Sequence, residues 1–330
     1  MFGSFGRLLG GVLFATSMLA SQAHAADKVQ FNLAWLPQGS TGGVLIAIAN
    51  GYYKEVDLEV NAVRGYGGQR TVNEVDQGLF EFGYGDPASV ILNRAQGGTS
   101  VMIGAINTRY PGGLCYINTG KTFTKLTDIK GMTVGGGAAS PVQNVVPPWL
   151  QANGLPPNYI KLLRLDPAVI NTALLEGRVD LAECWEGASK AVLDTMFANE
   201  KKKLGMLLYR DFNMDVYGNG IVTSEKIAKT KPDMVKRFLR ATYKGYAYMK
   251  ENPAKAAEQI AATNKLLDKK ILEQQIVETN RLITEGTVEQ SKMGLMRPDR
   301  MRHTVEFVKQ AYPVAATVQL DAVYTNQFIE

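Results

Sequence analysis

Between residues 29 and 223 short apolar runs alternate with stretches of helical periodicity, and this alternation leaves few architectures open. Runs of strand character fall at 29–35, 57–63, 80–84, 100–107, 113–118, 131–135, 160–164, 179–184, 204–209 and 217–223. Helical patterns lie between most of them, at 41–54, 68–77, 87–97, 142–153, 168–176 and 187–199. Parallel neighbours can be joined only by a crossover, and a strand–helix–strand crossover is right-handed. The chain is therefore expected to be α/β, with mainly parallel sheets and helices on both faces. From Pro232 onward the pattern turns helical, broken at Asn252-Pro253, which predicts a helical C-terminal cluster.

Two segments follow one plan. "VNEVDQGLFEFGYGDPASVI" (72–91) and "NTALLEGRVDLAECWEGASKAV" (171–192) each carry a helix ending at glycine (Gly78, Gly177) and then an acidic residue (Glu81, Asp180). A short strand, a turn and an Ala-Ser-containing helix follow in both. The glycines suit the left-handed geometry that ends a helix. The echo is either a generic helix–strand–helix pattern or a true repeat. A repeat would give two similar lobes with a small-molecule cleft between them.

The first residues, "MFGSFGRLLGGVLFATSMLASQAHAADK", combine Arg7, an apolar run from Leu8 to about Ala20, and Ala23-His24-Ala25. This is the pattern of a cleaved secretory leader, expected to cover residues 1–25. The run is shorter than the roughly 20 residues that span a bilayer. An exported, periplasmic protein is expected. Cleavage would remove one positive charge, taking the net +5 to +4, too weak and scattered to argue for nucleic acid. Cys115 and Cys184 are the chain's two cysteines. An oxidising compartment permits a disulfide, but spacing does not show that they meet, and buried free thiols are the expected state.

In open α/β sheets, ligands sit at the carboxyl ends of strands. The residues that fall there include Trp35, the loop Gln38 to Thr41 with Ser40, Tyr84 and Asp86 in "YGD", and Asn107 with Arg109 on a crossing segment. The second half supplies "GGGAASP" with Ser140, then Glu183, Trp185 and Glu186 in "ECWEG", and Tyr217 on a possible return crossing. Aromatic rings offer contact area, with stacking pairs worth about 0.5–1.5 kcal/mol beyond burial. Glu183 or Glu186 would accept protons from an amino or hydroxyl group; which of them faces the cleft is open. Arg109 would either hold a carboxylate through two parallel hydrogen bonds or pair with an acidic neighbour and tie the crossing down. "GGGAAS" lacks the Gly-Lys-Ser/Thr of a phosphate loop, and its glycines more readily serve close packing.

Chemistry on a substrate has little support. His24 would leave with the leader and His303 lies in the helical tail. The sequence holds no His/Cys cluster with metal-ligand spacing and no Gly-x-Ser-x-Gly elbow. No catalytic residue, metal or cofactor is expected, and binding asks less of the paired acids than catalysis does.

"WLPQGSTGGVLIAIANGYYKEVDLEV" resembles the N-terminal signature of the solute-binding proteins grouped with the thiamine-pyrimidine synthases and the nitrate, sulfonate and taurine binders. Gly51-Tyr52-Tyr53-Lys54-Glu55 and Leu58-Glu59-Val60 match that signature, with Asp57 where a glycine is usual. "DIKGMTVGGG" and "LLEGRVDLAECWEGA" match further motifs, so the likeness runs from residue 29 to about 250. The resemblance implies a two-lobed type II periplasmic binding protein that hands solute to the permease of an ABC importer at the inner membrane. It implies lobe 1 at 26–110 and 218–330, lobe 2 at 111–217, and a monomer. Its pockets would fall on Trp35, Tyr84 to Asp86, Ser140 with Pro141, and Trp185 with Glu186. The Cys-rich motif and histidine of the enzymatic branch are absent. The W-x-P aromatic points to a flat ring, such as a thiamine-precursor pyrimidine or an aromatic acid. Arg109, Arg64 and Arg70 leave a small organic anion, a sulfonate or nitrate, as the alternative.

Overall fold

The computed structural model describes residues 25–120, 122–137, 140–284 and 292–329. The expected leader lies outside these residues apart from Ala25, as do Ala138 and Ala139 of the glycine-rich loop. Ten strands are β1 (Asp27–Asn32), β2 (Leu58–Val63), β3 (Phe82–Gly85), β4 (Ser100–Ala105), β5 (Gly112–Ile117), β6 (Thr133–Gly137), β7 (Lys161–Leu165), β8 (Leu181–Trp185), β9 (Leu204–Leu208) and β10 (Gly220–Ser224). They build two five-stranded sheets, ordered β2-β1-β3-β10-β4 and β7-β6-β8-β5-β9. In the first, β1 runs parallel to β2 and β3, and β10 runs antiparallel to β3 and β4. In the second, β6 runs parallel to β7 and β8, and β5 runs antiparallel to β8 and β9.

The two sheets therefore share one topology. Each has four strands in sequence plus one antiparallel strand inserted beside the last, and that strand is the one that arrives from the other sheet. The helices are α1 (Gly42–Ala49), α2 (Gly68–Asp76), α3 (Pro87–Ala95), α4 (Pro141–Ala152), α5 (Ile170–Leu175), α6 (Ser189–Asn199), α7 (Glu225–Thr230), α8 (Pro232–Glu251), α9 (Pro253–Thr263), α10 (Lys269–Thr284), α11 (Pro298–Ala311) and α12 (Leu320–Val323). The echoed segments are α2–β3–α3 and α5–β8–α6, equivalent positions in the two sheets. Gly78 and Gly177 take φ of 78° and 72°, the left-handed turn that lets each helix stop.

Two boundaries differ from the sequence reading. The first strand stops at Asn32, three residues short of Trp35, because the Asn32 side chain accepts the N–H of Ala34 at 2.9 Å and turns the backbone. The helix expected over 41–54 ends at Ala49, Gly51 turns left-handed at φ 74°, and a single 3-10 turn follows. Asp57, standing where the resembling family has glycine, takes φ 53° and ψ 43°.

The packing of the first sheet explains the small residues of α1. A Cβ on Gly245 of α8 would come within 2.9 Å of the Gly43 carbonyl carbon and 3.1 Å of Ala47 Cβ, so the two helices touch backbone to backbone. Below them Phe238 stacks on Phe82 with centroids 4.0 Å apart, and on Tyr53 at 5.2 Å. On the second sheet Cys115 and Cys184 are fully buried and bonded to each other, with Cα atoms 5.6 Å apart. This corrects the expectation of free thiols. The β5–β8 register sets Cys184 opposite Gly113 and Cys115 opposite Ala182, so the cysteines are diagonal neighbours on one sheet.

The chain passes between the sheets twice, and the two crossings are bonded together. Ile106 and Asn107 donate their N–H groups to the Asn219 carbonyl at 3.0 and 2.8 Å, and Gly218 N–H returns to the Asn107 carbonyl at 2.9 Å. Arg109 donates to Asp215 at 2.9 Å, joined there by Arg300 of α11 at 3.0 Å. Burial raises the Asp215 pKa, but the hydrogen bonds from Arg109 and Arg300 outweigh it and hold the carboxyl below its ordinary value. The C-terminus then returns to the first sheet, with Thr325 N–H on the Met102 carbonyl of β4 at 2.9 Å.

Candidate functional site

Most of the expected site residues lie at or just after the ends of β1, β3, β6 and β8. Ser40 N–H donates to the Gly187 carbonyl at 3.1 Å, which joins the loop after β1 to the loop after β8. Ser40 is itself buried, its carbonyl accepting the Tyr246 hydroxyl at 2.7 Å. Tyr84, at the end of β3, is buried, and its hydroxyl lies 3.2 Å from Asn107 Nδ2 with Ser40 as its other partner. Asp86 caps α3, accepting the N–H and hydroxyl of Ser89 at 2.9 and 2.6 Å.

From the other sheet, Ser140 caps α4, accepting the Val142 N–H at 3.1 Å while its hydroxyl donates to Glu183. Glu183 also accepts the Gly137 N–H at 2.8 Å. Burial pushes the Glu183 carboxyl up to about 7 despite that N–H, so it is partly neutral at physiological pH. Trp185 sits at the end of β8 with its ring 5.6 Å from that of Tyr110. Glu186 pairs with Arg210 and donates its N–H to Pro111 at 3.0 Å.

Tyr110 stands at the centre. Its hydroxyl pKa is held well above the ordinary value, first by burial and then by Asp86 from the first sheet, by neighbouring tyrosines, and by Glu183 from the second. Its ring lies 6.3 Å from that of Tyr209, which packs edge-on against Trp149 at 4.8 Å. The result is an aromatic cluster flanked by two carboxyl groups, one from each half of the molecule.

Of the residues expected at the site, Ser40, Tyr84, Asp86, Ser140, Glu183 and Trp185 come together here. Trp35 is 37% exposed, its carbonyl accepting the Gly65 N–H at 3.2 Å. Arg109 serves the crossing, as the second of its two expected roles had it. Tyr217 lies fully buried, its hydroxyl accepting the Arg297 N–H at 2.9 Å, so it anchors the C-terminal helices. Between Glu183 and Glu186, it is Glu183 that faces Tyr110, while Glu186 is engaged by Arg210.

The sequence reading missed Tyr110, Tyr209 and Gln143. The only signal was their proximity to a crossing or a cap: Tyr110 follows Arg109, and Gln143 is one helical turn beyond Ser140. Among the described residues the buried atoms without a hydrogen-bond partner include Asn107 Oδ1, Tyr209 Oη and Gln143 Nε2 in this region, and Arg94 Nη2, Gln259 Oε1 and Arg300 Nε elsewhere. A buried polar atom left alone costs about 1–3 kcal/mol, a cost that a bound polar group reaching it would relieve.

A family model described as NMT1/THI5 like matches residues 38–256, well over half of the chain. The chain belongs to that family. A riboflavin-binding protein, RibY, of Chloroflexus aurantiacus is 23% identical over 311 residues, 92% of this chain and 86% of that protein. A formylaminopyrimidine-binding protein of Halalkalibacterium halodurans is 23% identical over 261 residues, 76% of this chain and 75% of its own. Among solved structures, the periplasmic aliphatic sulphonate binding protein SsuA of Escherichia coli superimposes with a TM-score of 0.70 at 13% identity. That match covers 92% of this chain and 99% of SsuA. The fold is thus the two-lobed α/β fold of periplasmic binding proteins.

Proposed function

We propose that this protein is the solute-binding component of an ABC importer, and that its solute is a flat nitrogen-containing ring held between the lobes. The carrying observation is the charge and hydrogen-bonding character of the cluster. Trp185, Tyr110, Tyr84 and Tyr209 supply ring faces, and Glu183 with Asn107 Oδ1 supplies acceptors for N–H donors. Of the cations that could have held an anion, Arg109 is paired with Asp215, Arg210 with Glu186 and Arg70 with Glu74, while Arg64 lies over the Tyr66 ring. A carboxyl close to half-neutral both donates and accepts, which suits the edge of an amino-substituted pyrimidine. The relatives that bind riboflavin and formylaminopyrimidine support a ring of this kind.

The lobes are taken as 26–110 with 218–330, and 111–217, and solute uptake as closure of one on the other. Contacts to both lobes exist only when they are closed, so the solute stabilises that state. No step of chemistry on the solute is needed, and the role is transport. A leader over 1–25 would place the mature chain in the periplasm, where it would meet the permease as a monomer. No helix among the described residues is long and apolar enough to cross a membrane.

Calorimetric titration with formylaminopyrimidine, riboflavin and ethanesulfonate tests the reading. Binding of either ring, with no heat from ethanesulfonate, is expected. Saturable binding of ethanesulfonate with neither ring bound would overturn it.

A further inference from the structure

Helix α10 belongs by its packing to the first lobe, against α8, α9 and the turn at Gly39–Thr41, yet it also lies against α6 of the second. Its side chains reach across. Gln275, 5% exposed, accepts the Gly39 N–H at 2.9 Å through Oε1 and donates through Nε2 to the Ala188 carbonyl at 2.9 Å. One amide thus holds the loop after β1 with one hand and the loop after β8 with the other. Glu278, 7% exposed, accepts the Gly187 N–H at 2.8 Å and Lys190 Nζ at 3.0 Å. Both loops present glycine to the helix. A Cβ on Gly39 would meet the Ile276 nitrogen at 2.7 Å, and one on Gly187, already at φ 73°, would run into Thr279 Oγ1. Close approach of backbone to α10 is therefore built into both loops.

The loop so held is Trp185 to Ala188, the one that carries the indole of the proposed site. We propose that Gln275 and Glu278 are positioning residues: they latch this loop onto the first lobe and thereby set how tightly the interlobe site binds. This rests on the closure described above. When the lobes part, the Gly187 N–H, the Ala188 carbonyl and both α10 side chains meet water instead of one another. A groove of about 410 Å³ lined by Lys190, Gln274 and Glu278 already brings solvent to the outer side of the latch. Each bond of the latch adds only a modest net preference for closure, because water replaces it in the open form. The apparent dissociation constant is the intrinsic one divided by the closed fraction, so a latch that multiplies the closed population multiplies affinity equally.

The test compares wild type with Gln275→Glu, which keeps an acceptor for Gly39 N–H but cannot donate to Ala188. Lys190→Met, at a partly exposed position, is a second variant that keeps the fold if the first does not. Fluorescent labels on Leu79→Cys and Leu163→Cys, exposed positions on the first and second lobes, report the closed fraction in single molecules without any ligand. Expected is a closed fraction reduced about five- to tenfold by Gln275→Glu and less by Lys190→Met. Affinity for whichever of riboflavin or formylaminopyrimidine binds wild type should fall by the same factor. An unchanged closed fraction in both variants overturns the latch, even where ring binding by wild type upholds the proposed function. Failure of both rings to bind wild type counts against the proposed ligand, and the ligand-free closed fraction still decides the latch.

Discussion

Replacing Glu183 by Gln should make the protein more stable, and increasingly so as pH rises. Glu183 is half-buried near Tyr110, and desolvation pushes its carboxyl up from 4.5 to about 7, exceeding the help of the Gly137 N–H. A carboxyl whose folded pKa is raised binds its proton more tightly in the folded state. Its contribution is fully present below pH 4.5 and is lost as pH rises through about 7. The shift between those values corresponds to about 3 kcal/mol, of which roughly 1 kcal/mol is gone by pH 5 and nearly all by pH 8. Gln cannot ionise, and its carbonyl oxygen still accepts the Gly137 N–H. Urea unfolding of wild type and Glu183→Gln at pH 5 and pH 8 should show the variant's advantage growing by about 2 kcal/mol between them. An advantage that does not change with pH, or a variant less stable at pH 8, would refute a desolvated ionisable carboxyl here. The same variant should bind a ring solute more weakly, so stability and affinity move in opposite directions.

Trp185→Ala should weaken ring binding by about 1–3 kcal/mol by calorimetry while the fold persists, and Trp35→Ala, at an exposed position, by less within the same range. Removing both cysteines with Cys115→Ala and Cys184→Ala should lower stability by about 4 kcal/mol in urea, since the bond closes a long loop; equal midpoints with and without the bond would sink this. Arg109→Ala breaks a partly exposed pair on the crossings and should cost about 0.5–1 kcal/mol near pH 7. Asp215 has a depressed pKa, so this contribution is present above the ordinary aspartate range and lost as pH falls through the lowered value. A loss that stays constant down to pH 2 would show that the ion pair is not its source.

The order of strands and helices was legible because each element carries its own period and its own stop. Gly78 and Gly177 sit where the chain turns left-handed and could be read from residue type, whereas Asp57 was marked by the glycine that the resembling family carries there. The end of β1 could not. It depends on the Asn32 side chain folding back onto the Ala34 N–H while Thr71, from a distant helix, donates to the same oxygen at 3.0 Å. The disulfide was unreadable for a similar reason, because a diagonal meeting of Cys115 and Cys184 is fixed by β5–β8 register and not by sequence spacing. Trp185, Glu183 and Ser140 were found because they lie within or just beyond the carboxyl ends of strands. Tyr110 sits on a crossing between the sheets, where no periodicity marks a side chain as inward, and Tyr209 is the last residue of the strand expected at 204–209, where the crossing begins. Gln275 and Glu278 read as two polar residues of an ordinary helix until the loops after β1 and β8 are seen to rest on them.

Native mass spectrometry of the protein released gently from its producing cells, followed by identification of whatever small molecule leaves it, asks most directly what the cleft holds. One molecule per chain, with a nitrogen heterocycle in its fragments, is the result expected here. A bound aliphatic sulfonate or inorganic anion would contradict the reading of the aromatic and carboxyl cluster as a seat for a ring.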